Sequence, residues 1–300
     1  IMRKQNVWAL CLIGIACLVS CDNEQEFSGM TSDSPMNLTA VQVKQSIQSR
    51  ASSDNQWTGD GTENISVSDG SKVATYTVIN ESGELQCADE NNQLYWASAT
   101  EEQTITAWYP ATMNNKLWES WTVKSDQSGD GYQQSDFMYT SAKVALQGNH
   151  VLPFRHQTAK VVVHLLKNEV MAEELAGATV IIRNVALQGN VMGGALTRND
   201  QVGVEDVTPK VVSPKKDYMA SYEALLIPQL VKDKVFIEIK TTGGKSFTYK
   251  PKGDEGLLEG TYQNIYYVTV GKPGISVVVE RGGLQWGQEG DDQIVDMTKE

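Results

Sequence analysis

The sequence has little basic charge, and no block of lysine and arginine residues occurs in it. Its 300 residues include 25 Lys and Arg against 37 Asp and Glu, which gives a formal net charge of −12. The nearest approach to a basic block is Lys215-Lys216 after Pro214, which is more typical of a solvated loop than of a phosphate site. Because an acidic chain repels nucleic acid phosphates, we expect no nucleic acid partner.

The sequence also lacks the short motifs of common catalytic sites. It contains no G-x-S-x-G, H-E-x-x-H, C-x-x-C or Walker sequence. Two patterns of serine penicillin-recognising enzymes occur at residues 53–55 and 213–216. They stand in the wrong order, and Pro214 disfavours the helix that the pattern at 213–216 needs. His156 and His164 would lie about 26 Å apart along one extended strand, too far to share a metal ion. We therefore predict no enzyme activity, no cofactor and no metal site.

Long hydrophobic runs are missing except for one near the start. Residues 7–19 form an apolar run that follows Arg3 and Lys4 and leads to Ser20 and Cys21. As a helix it would reach about 20 Å, less than the ~30 Å hydrocarbon core of a membrane. This pattern predicts a signal peptide at residues 1–20. Its end, Leu-Val-Ser-Cys, resembles the lipobox of bacterial lipoproteins, which implies cleavage before Cys21 and lipid on that cysteine. An ordinary secretory signal with an accidental cysteine is the alternative.

Cysteine is scarce as well. Of the four cysteines, Cys11 and Cys17 belong to the predicted signal peptide, and Cys21 is expected to carry the lipid. Cys87 is then the one remaining thiol. No internal disulfide can then form, so the mature chain has to be stabilised by its hydrophobic core. Its length is enough for one or two domains, of which we favour two.

Residues 21–35 are rich in Asp, Glu, Ser, Gly and Asn and contain one aromatic residue, Phe27. Such a segment buries too little apolar surface to fold, so we predict a flexible acidic tether. Its opening, residues 22–26, resembles the export signal that sends lipoproteins of the Bacteroidetes to the outer face of the outer membrane. We therefore expect a surface-exposed lipoprotein held in the outer membrane through its lipid.

The chain is rich in short runs of Val, Ile, Thr and Tyr between clusters of Gly, Asn, Asp and Ser, which are typical of antiparallel strands. The clearest predicted strands are residues 72–79, 160–166, 178–185, 235–240 and 265–270. Only residues 168–176 have helical spacing. The sequence thus predicts a mainly β fold of antiparallel β-sandwiches. We expect an N-terminal domain at residues 36–148 and a C-terminal domain at 149–300, with the boundary near 146–150.

Two segments leave binding roles open. Residues 126–137 begin like a calcium-binding loop but end in Phe137, where a bidentate carboxylate is needed, so a polar hairpin tip is favoured over a calcium site. Trp108, Trp118 and Trp121 are predicted either as a platform on which sugars stack or as residues of the core, and we favour the core.

Several motifs occur in a fixed order between about residue 36 and residue 286. In chain order they are Ser49-Arg50-Ala51, Trp57-Thr-Gly59-Asp60, Ala107-Trp108-Tyr109-Pro110, Asp136-Phe137-Met138-Tyr139, Leu152-Pro-Phe154-Arg-His156 with Lys160-Val161, Leu226-Ile227-Pro228-Gln229 and Trp286. Together they resemble the fimbrillin family of the Bacteroidetes, lipoprotein precursors of type V pili with major-fimbriae and Mfa-like branches. The resemblance implies two transthyretin-like antiparallel β-sandwich domains in tandem.

The resemblance also implies assembly with other fimbrial subunits by donor-strand exchange. An arginine-specific protease would cut between Arg50 and Ala51, residues 36–47 would leave as the first strand, and the opened groove would accept a strand of another subunit. An exposed arginine without this role is the alternative for Arg50.

The donor strand is expected near the C-terminal end, where Leu284, Trp286 and Ile294 are the candidate residues. Residues 275–279 are instead expected to form a permanent strand of the second domain. The predicted function is a surface-exposed fimbrial subunit or fimbrillin-like adhesin that is not an enzyme, with its surface ligand unidentified. The alternative is a monomeric glycan-binding surface lipoprotein that uses exposed tryptophans.

Overall fold

The computed structural model describes residues 34–43, 56–214, 217–271 and 274–285. The strands in chain order are β1 Thr39–Gln42, β2 Asn64–Ser68, β3 Val73–Val78, β4 Leu85–Cys87, β5 Gln103–Tyr109, β6 Ser120–Thr122, β7 Met138–Val144, β8 Val151–His156, β9 Ala159–Leu166, β10 Thr179–Val185, β11 Gln188–Met192, β12 Ala195–Arg198, β13 Glu205–Val207, β14 Lys210–Val212, β15 Tyr218–Leu226, β16 Gln229–Leu230, β17 Ile237–Lys240, β18 Ser246–Tyr249, β19 Leu257–Leu258, β20 Tyr262–Gly271 and β21 Gly274–Gln285. The described ranges also contain the helix α1 Ala172–Leu175 and 3₁₀ turns at Glu90–Asn92 and Gln133–Ser135. The mainly β fold class predicted from the sequence is confirmed. Within these ranges, no helix has the length and apolar character needed to cross a membrane.

The five clearest predicted strands are confirmed as β3, β9, β10, β17 and β20. In β3, Ala74, Tyr76 and Val78 are buried and the residues between them are partly exposed, because successive side chains of a strand point to opposite faces. The helix predicted at residues 168–176 is shorter in the structure, where it is α1, Ala172–Leu175. It begins late because the side chain of Asn168 accepts a hydrogen bond from the Val170 backbone at 3.0 Å, which holds the chain in a turn.

The first half of the chain forms a seven-stranded sheet in the order β1-β8-β7-β5-β2-β3-β4. Its neighbours pair antiparallel except for β1 and β8, which run parallel. Alternate residues of these strands, together with Trp57, Leu94 and Trp96 from the connections, form the first buried cluster. We call this cluster the first core.

The second half forms a five-stranded sheet, β14-β15-β9-β20-β21, and a four-stranded sheet, β13-β10-β17-β18. Smaller sheets join β12-β11-β6 and β16-β19. In β9 the alternate residues Ala159, Val161, Val163 and Leu165 are buried in one cluster with residues of β10 and β17. This cluster is the second core.

Residues 117–137 leave the first sheet and contribute to the second core. Strand β6 pairs with β11, and Trp121, Val123 and Phe137 belong to the second cluster. Within this segment the fully buried side chain of Gln127 hydrogen-bonds both the backbone N–H and the backbone carbonyl of Leu225, each at 2.8 Å. The two halves of the chain are therefore joined by more than the single connection after β8.

Strand β8 follows the domain boundary predicted near residues 146–150, within the second domain predicted from residue 149, but it belongs to the first sheet. Strand β8 pairs with β7 and β1, and its Leu152 and Phe154 lie in the first core. The loop before β8 connects two strands of the same sheet, with the Ala145 amide bonded to the Asn149 carbonyl. The change from one sheet to the other falls at Gln157 and Thr158, between β8 and β9.

Candidate functional site: the groove of the N-terminal segment

Residues 34–43, which we call the N-terminal segment, insert one face into the first core. Met36 is 1% exposed, Leu38 2%, Ala40 0% and Gln42 8%, whereas Val41 between the last two is 40% exposed. This alternation follows from an extended backbone, in which every second side chain points the same way. The segment therefore fills a groove of the first core with a row of four side chains.

One side of the segment pairs with β8. The register is parallel, with Thr39 opposite Val151 and Gln42 opposite Phe154. The pairing extends one residue further, because the Val43 amide donates to the Phe154 carbonyl at 2.9 Å.

The other side of the segment bonds the opposite end of the same sheet. The Ala40 amide donates to the Gly83 carbonyl at 2.7 Å, and the Leu85 amide donates to the Leu38 carbonyl at 3.1 Å. Further along, the Met36 amide bonds the Leu94 carbonyl at 2.9 Å. Because Leu85 begins β4, the last strand in the sheet order, the N-terminal segment joins both edges of the sheet. Without it, the sheet would have two edges with unpaired backbone groups.

Trp57 and Gly83 close over the middle of the segment. The Trp57 indole is 3% exposed and its Nε1 donates to the Ala40 carbonyl at 2.9 Å. Gly83 has a φ of +86°, and a Cβ atom there would lie 1.8 Å from the Ala40 oxygen. Only glycine allows this approach.

Aromatic rings continue the wall behind Trp57. Its indole meets the rings of Tyr109 and Phe154 edge-on, with centroids 5.5 and 5.7 Å away. Burial, reinforced by the negative charges of Asp136 and Glu63, raises the pKa of Tyr109 to about 12. This phenol is thus neutral at ordinary pH, and the groove wall is apolar and uncharged there.

An open cleft of about 460 Å³ adjoins one end of the groove. It is lined by Ala40, Gln42 and Val43 of the N-terminal segment and by Trp57, Glu81 and Ser82 opposite them. The arrangement can bind an extended peptide strand through backbone hydrogen bonds on two sides and pockets for alternate side chains.

Most of the site residues predicted from the sequence lie outside the described residues. These are Cys21, Arg50, Ala51, Trp286 and Ile294. The described chain stops at Val43 and resumes at Gln56, on either side of the predicted cut.

At the C-terminal end, residues 275–279 pair with β20, with Ile275 opposite Val270 and Val279 opposite Tyr266. The prediction of a strand built into the second half is confirmed for these residues. The backbone of Leu284, a candidate donor residue, lies further along the same strand, β21.

The tryptophans that were predicted either as a sugar platform or, preferably, as core residues lie mainly in the core. Trp108 is 3% and Trp121 7% exposed, and both belong to the second core. Trp121 stacks on Phe137, and the half-buried Trp118 packs edge-on against Trp121 at 5.4 Å. An exposed platform is therefore wrong for Trp108 and Trp121, because packing in the core covers both rings.

The candidate calcium loop is held by hydrogen bonds within the loop and by the burial of its last residue. Asp126 Oδ1 accepts hydrogen bonds from the Ser128 amide and hydroxyl at 3.0 and 2.7 Å, and Phe137 at the last position is fully buried. No group of three or more His, Cys, Asp or Glu residues is placed to hold a metal ion in the described part of the chain.

Sequence reasoning missed three residues of the groove. Gly83 and Gln42 belong to none of the motifs, and Trp57 was noted only as part of one. The alternation of Met36, Leu38 and Ala40 is the signal that could have identified the inserted face.

The chain was compared with known proteins. A family model described as Fimbrillin-like matches residues 49–281. A comparison with curated proteins found no similar sequence. Two solved structures from Bacteroides uniformis and Bacteroides ovatus, each provisionally described as a cell adhesion protein, share the fold at 18% sequence identity. The first has a TM-score of 0.63 and covers 84% of this chain and 99% of that one. The second has a TM-score of 0.64 and covers 86% and 99%.

A lower similarity, with a TM-score of 0.46, relates the chain to the tip fimbrial protein Mfa3 from Porphyromonas gingivalis. That match has 9% identity over 74% of this chain and 93% of that one, and it adds nothing to the conclusion. The family model spans well over half of the sequence, and the chain therefore belongs to the fimbrillin-like family.

Proposed function

We propose that the chain is a surface-exposed fimbrial subunit or fimbrillin-like adhesin that assembles with other subunits by donor-strand exchange. Membership of the fimbrillin-like family supports a structural role in fimbriae or adhesion at the cell surface. The observation that carries the assembly step is the N-terminal segment, which bonds both edges of the seven-stranded sheet and inserts alternate side chains into its core.

The proposed assembly begins with proteolysis between Arg50 and Ala51. The cut would separate the N-terminal segment from Trp57 and the rest of the first core, so the segment could leave without breaking the sheet behind it. Its departure would expose the pockets that Met36 and Leu38 fill. Burial of each of these side chains contributes roughly 1.5–3 kcal/mol to stability. A strand of another subunit would recover this burial and pair both open edges.

The lipid on Cys21 would hold the precursor at the outer membrane before the cut. Each buried methylene contributes about 0.8 kcal/mol, so several acyl chains on one cysteine anchor durably. After cleavage, residues 21–50 would keep the lipid and the folded body would be free to join a fimbrium. Leu284, Trp286 and Ile294 are the candidate residues for the strand it would supply to the next subunit.

The cut at Arg50 can be tested with one variant and one matched control. Wild-type protein recovered from the cell surface is expected to begin at Ala51 and to form multimers that resist detergent. Arg50→Ala should keep its lipidated N-terminus and remain monomeric. Lys44→Ala removes a nearby positive charge and should behave as wild type.

N-terminal sequencing and electrophoresis without heating supply both readouts. The proposal would be abandoned if the wild-type protein from the surface began at Cys21 as a monomer. Multimers of Arg50→Ala at the wild-type level would refute the role of the cut.

A further inference from the structure

The N-terminal segment fits the two ends of its groove unequally. At one end, the large side chains of Met36 and Leu38 are 1% and 2% exposed and belong to the first core. At the other end, the groove holds only the methyl group of Ala40 and the amide of Gln42.

Gln42 is a poor occupant of its position. Its side chain is 92% buried, since only 8% is exposed, and its Oε1 accepts no hydrogen bond from any residue that the structure describes. A buried amide oxygen without a donor loses its hydration and gains nothing in return. An apolar side chain of similar volume would avoid this loss.

The cleft adjoins this same end of the groove. Ala40, Gln42 and Val43 line its near wall, and the Trp57 indole lies opposite. Because a leucine has about the same volume as a glutamine, a branched apolar side chain at the Gln42 register needs no additional room. At the Ala40 register the methyl group is fully buried beneath Trp57 and close to Gly83, which favours a small residue.

We infer that the groove is shaped for a partner strand with an apolar, branched residue at the Gln42 register, so that the N-terminal segment is an intrinsically weaker occupant. The strand would run parallel to β8, with large apolar residues at the Met36 and Leu38 registers and a small one at Ala40. The inference rests on the proposed donor-strand exchange and specifies the chemistry of the partner. Exchange is then favourable, because the incoming strand replaces a buried amide oxygen that has no donor with apolar contact.

The direct test measures peptide binding to the protein cleaved after Arg50 and freed of its N-terminal segment. The probes are fluorescently labelled peptides with the sequence of residues 36–43, carrying either Gln or Leu at position 42. The Leu peptide is expected to bind with a Kd about tenfold lower, because it leaves no unpaired amide. A peptide with Asn37→Leu makes a similar change on the exposed face of the strand, away from the cleft, and should match the Gln peptide.

Equal or weaker binding of the Leu peptide overturns the inference and leaves donor-strand exchange intact. Binding of neither peptide to the cleaved protein refutes the proposed function itself, and the inference with it.

A second measurement does not depend on cleavage. In the uncleaved chain, Gln42→Leu should raise the denaturant midpoint of the first core and slow the formation of multimers after cleavage, whereas Asn37→Leu on the exposed face should change neither. A Gln42→Leu precursor with a lower midpoint than wild type would also overturn the inference.

Discussion

Gly83→Ala should release the N-terminal segment from the sheet that it closes. An alanine Cβ at this position would lie 1.8 Å from the Ala40 oxygen, far inside van der Waals contact, and this oxygen belongs to the backbone and cannot rotate away. The segment would have to shift and lose the 2.7 Å bond from the Ala40 amide to the Gly83 carbonyl.

The expected cost has two parts. A non-glycine residue at positive φ costs roughly 1–2 kcal/mol. The lost hydrogen bond and loosened packing of Leu38 and Ala40 add about 2 kcal/mol. Gly70→Ala is the matched control, because Gly70 has a φ of +91° and a Cβ there meets nothing within 4 Å. Gly83→Ala should therefore destabilise the first core by about 2 kcal/mol more than Gly70→Ala.

Urea unfolding and amide hydrogen exchange of the uncleaved protein supply the measurements. In Gly83→Ala, the amides of Ala40 and Leu85 should lose protection, since both donate hydrogen bonds across this contact. In Gly70→Ala both should stay protected. The reasoning fails if the two variants are equally stable, or if the Ala40 amide of Gly83→Ala exchanges as slowly as in wild type.

Three further predictions concern the groove and the connection between the halves. Trp57→Phe removes the indole hydrogen bond to the N-terminal segment and should cost about 1 kcal/mol in urea unfolding, with faster proteolysis of the segment. Gln127→Ala removes two buried hydrogen bonds to the Leu225 backbone and should lower the unfolding free energy of the second core by roughly 2–3 kcal/mol. An unchanged value would contradict the role of Gln127 in joining the two halves. Partial burial alone would raise the pKa of Asp69, but hydrogen bonds from the following turn outweigh it and hold that pKa below 3.8. Its stabilising contribution should therefore be full only well above the ordinary pKa of an aspartate and disappear as the pH falls through the lowered pKa, and Asp69→Asn should flatten this part of the acid unfolding curve.

The strands were predictable because their signal is local. The alternation of β-branched residues indicates which face of a strand points into a core. Strands β3, β9 and β20 follow that pattern. The sheet to which a strand belongs is not a local property. The loop before β8 was correctly read as a loop, but nothing in its residues tells that β8 pairs with β7 and β1 rather than with β9.

The candidate site was only partly predictable for the same reason. The resemblance supplied both the strand at residues 36–47 and its proposed departure. The closure of Gly83 over the Ala40 carbonyl depends on two segments that meet only in the folded sheet. The burial of Trp108 and Trp121 could not be predicted with certainty, because it depends on residues outside their own strands. Phe137, for example, stacks on Trp121.

The parallel pairing of β1 with β8 also sets the order in which the first core can form. Their partners Thr39 and Val151 are separated by more than a hundred residues, so closing this pair has a large loop entropy cost. The antiparallel neighbours β2, β3 and β4 lie close together in the chain and can pair earlier. We expect the N-terminal segment to dock late, because its partner Phe154 follows much later in the chain. A sheet with a vacant groove would then precede the complete first core, and the proposed proteolysis would return the protein to a similar arrangement.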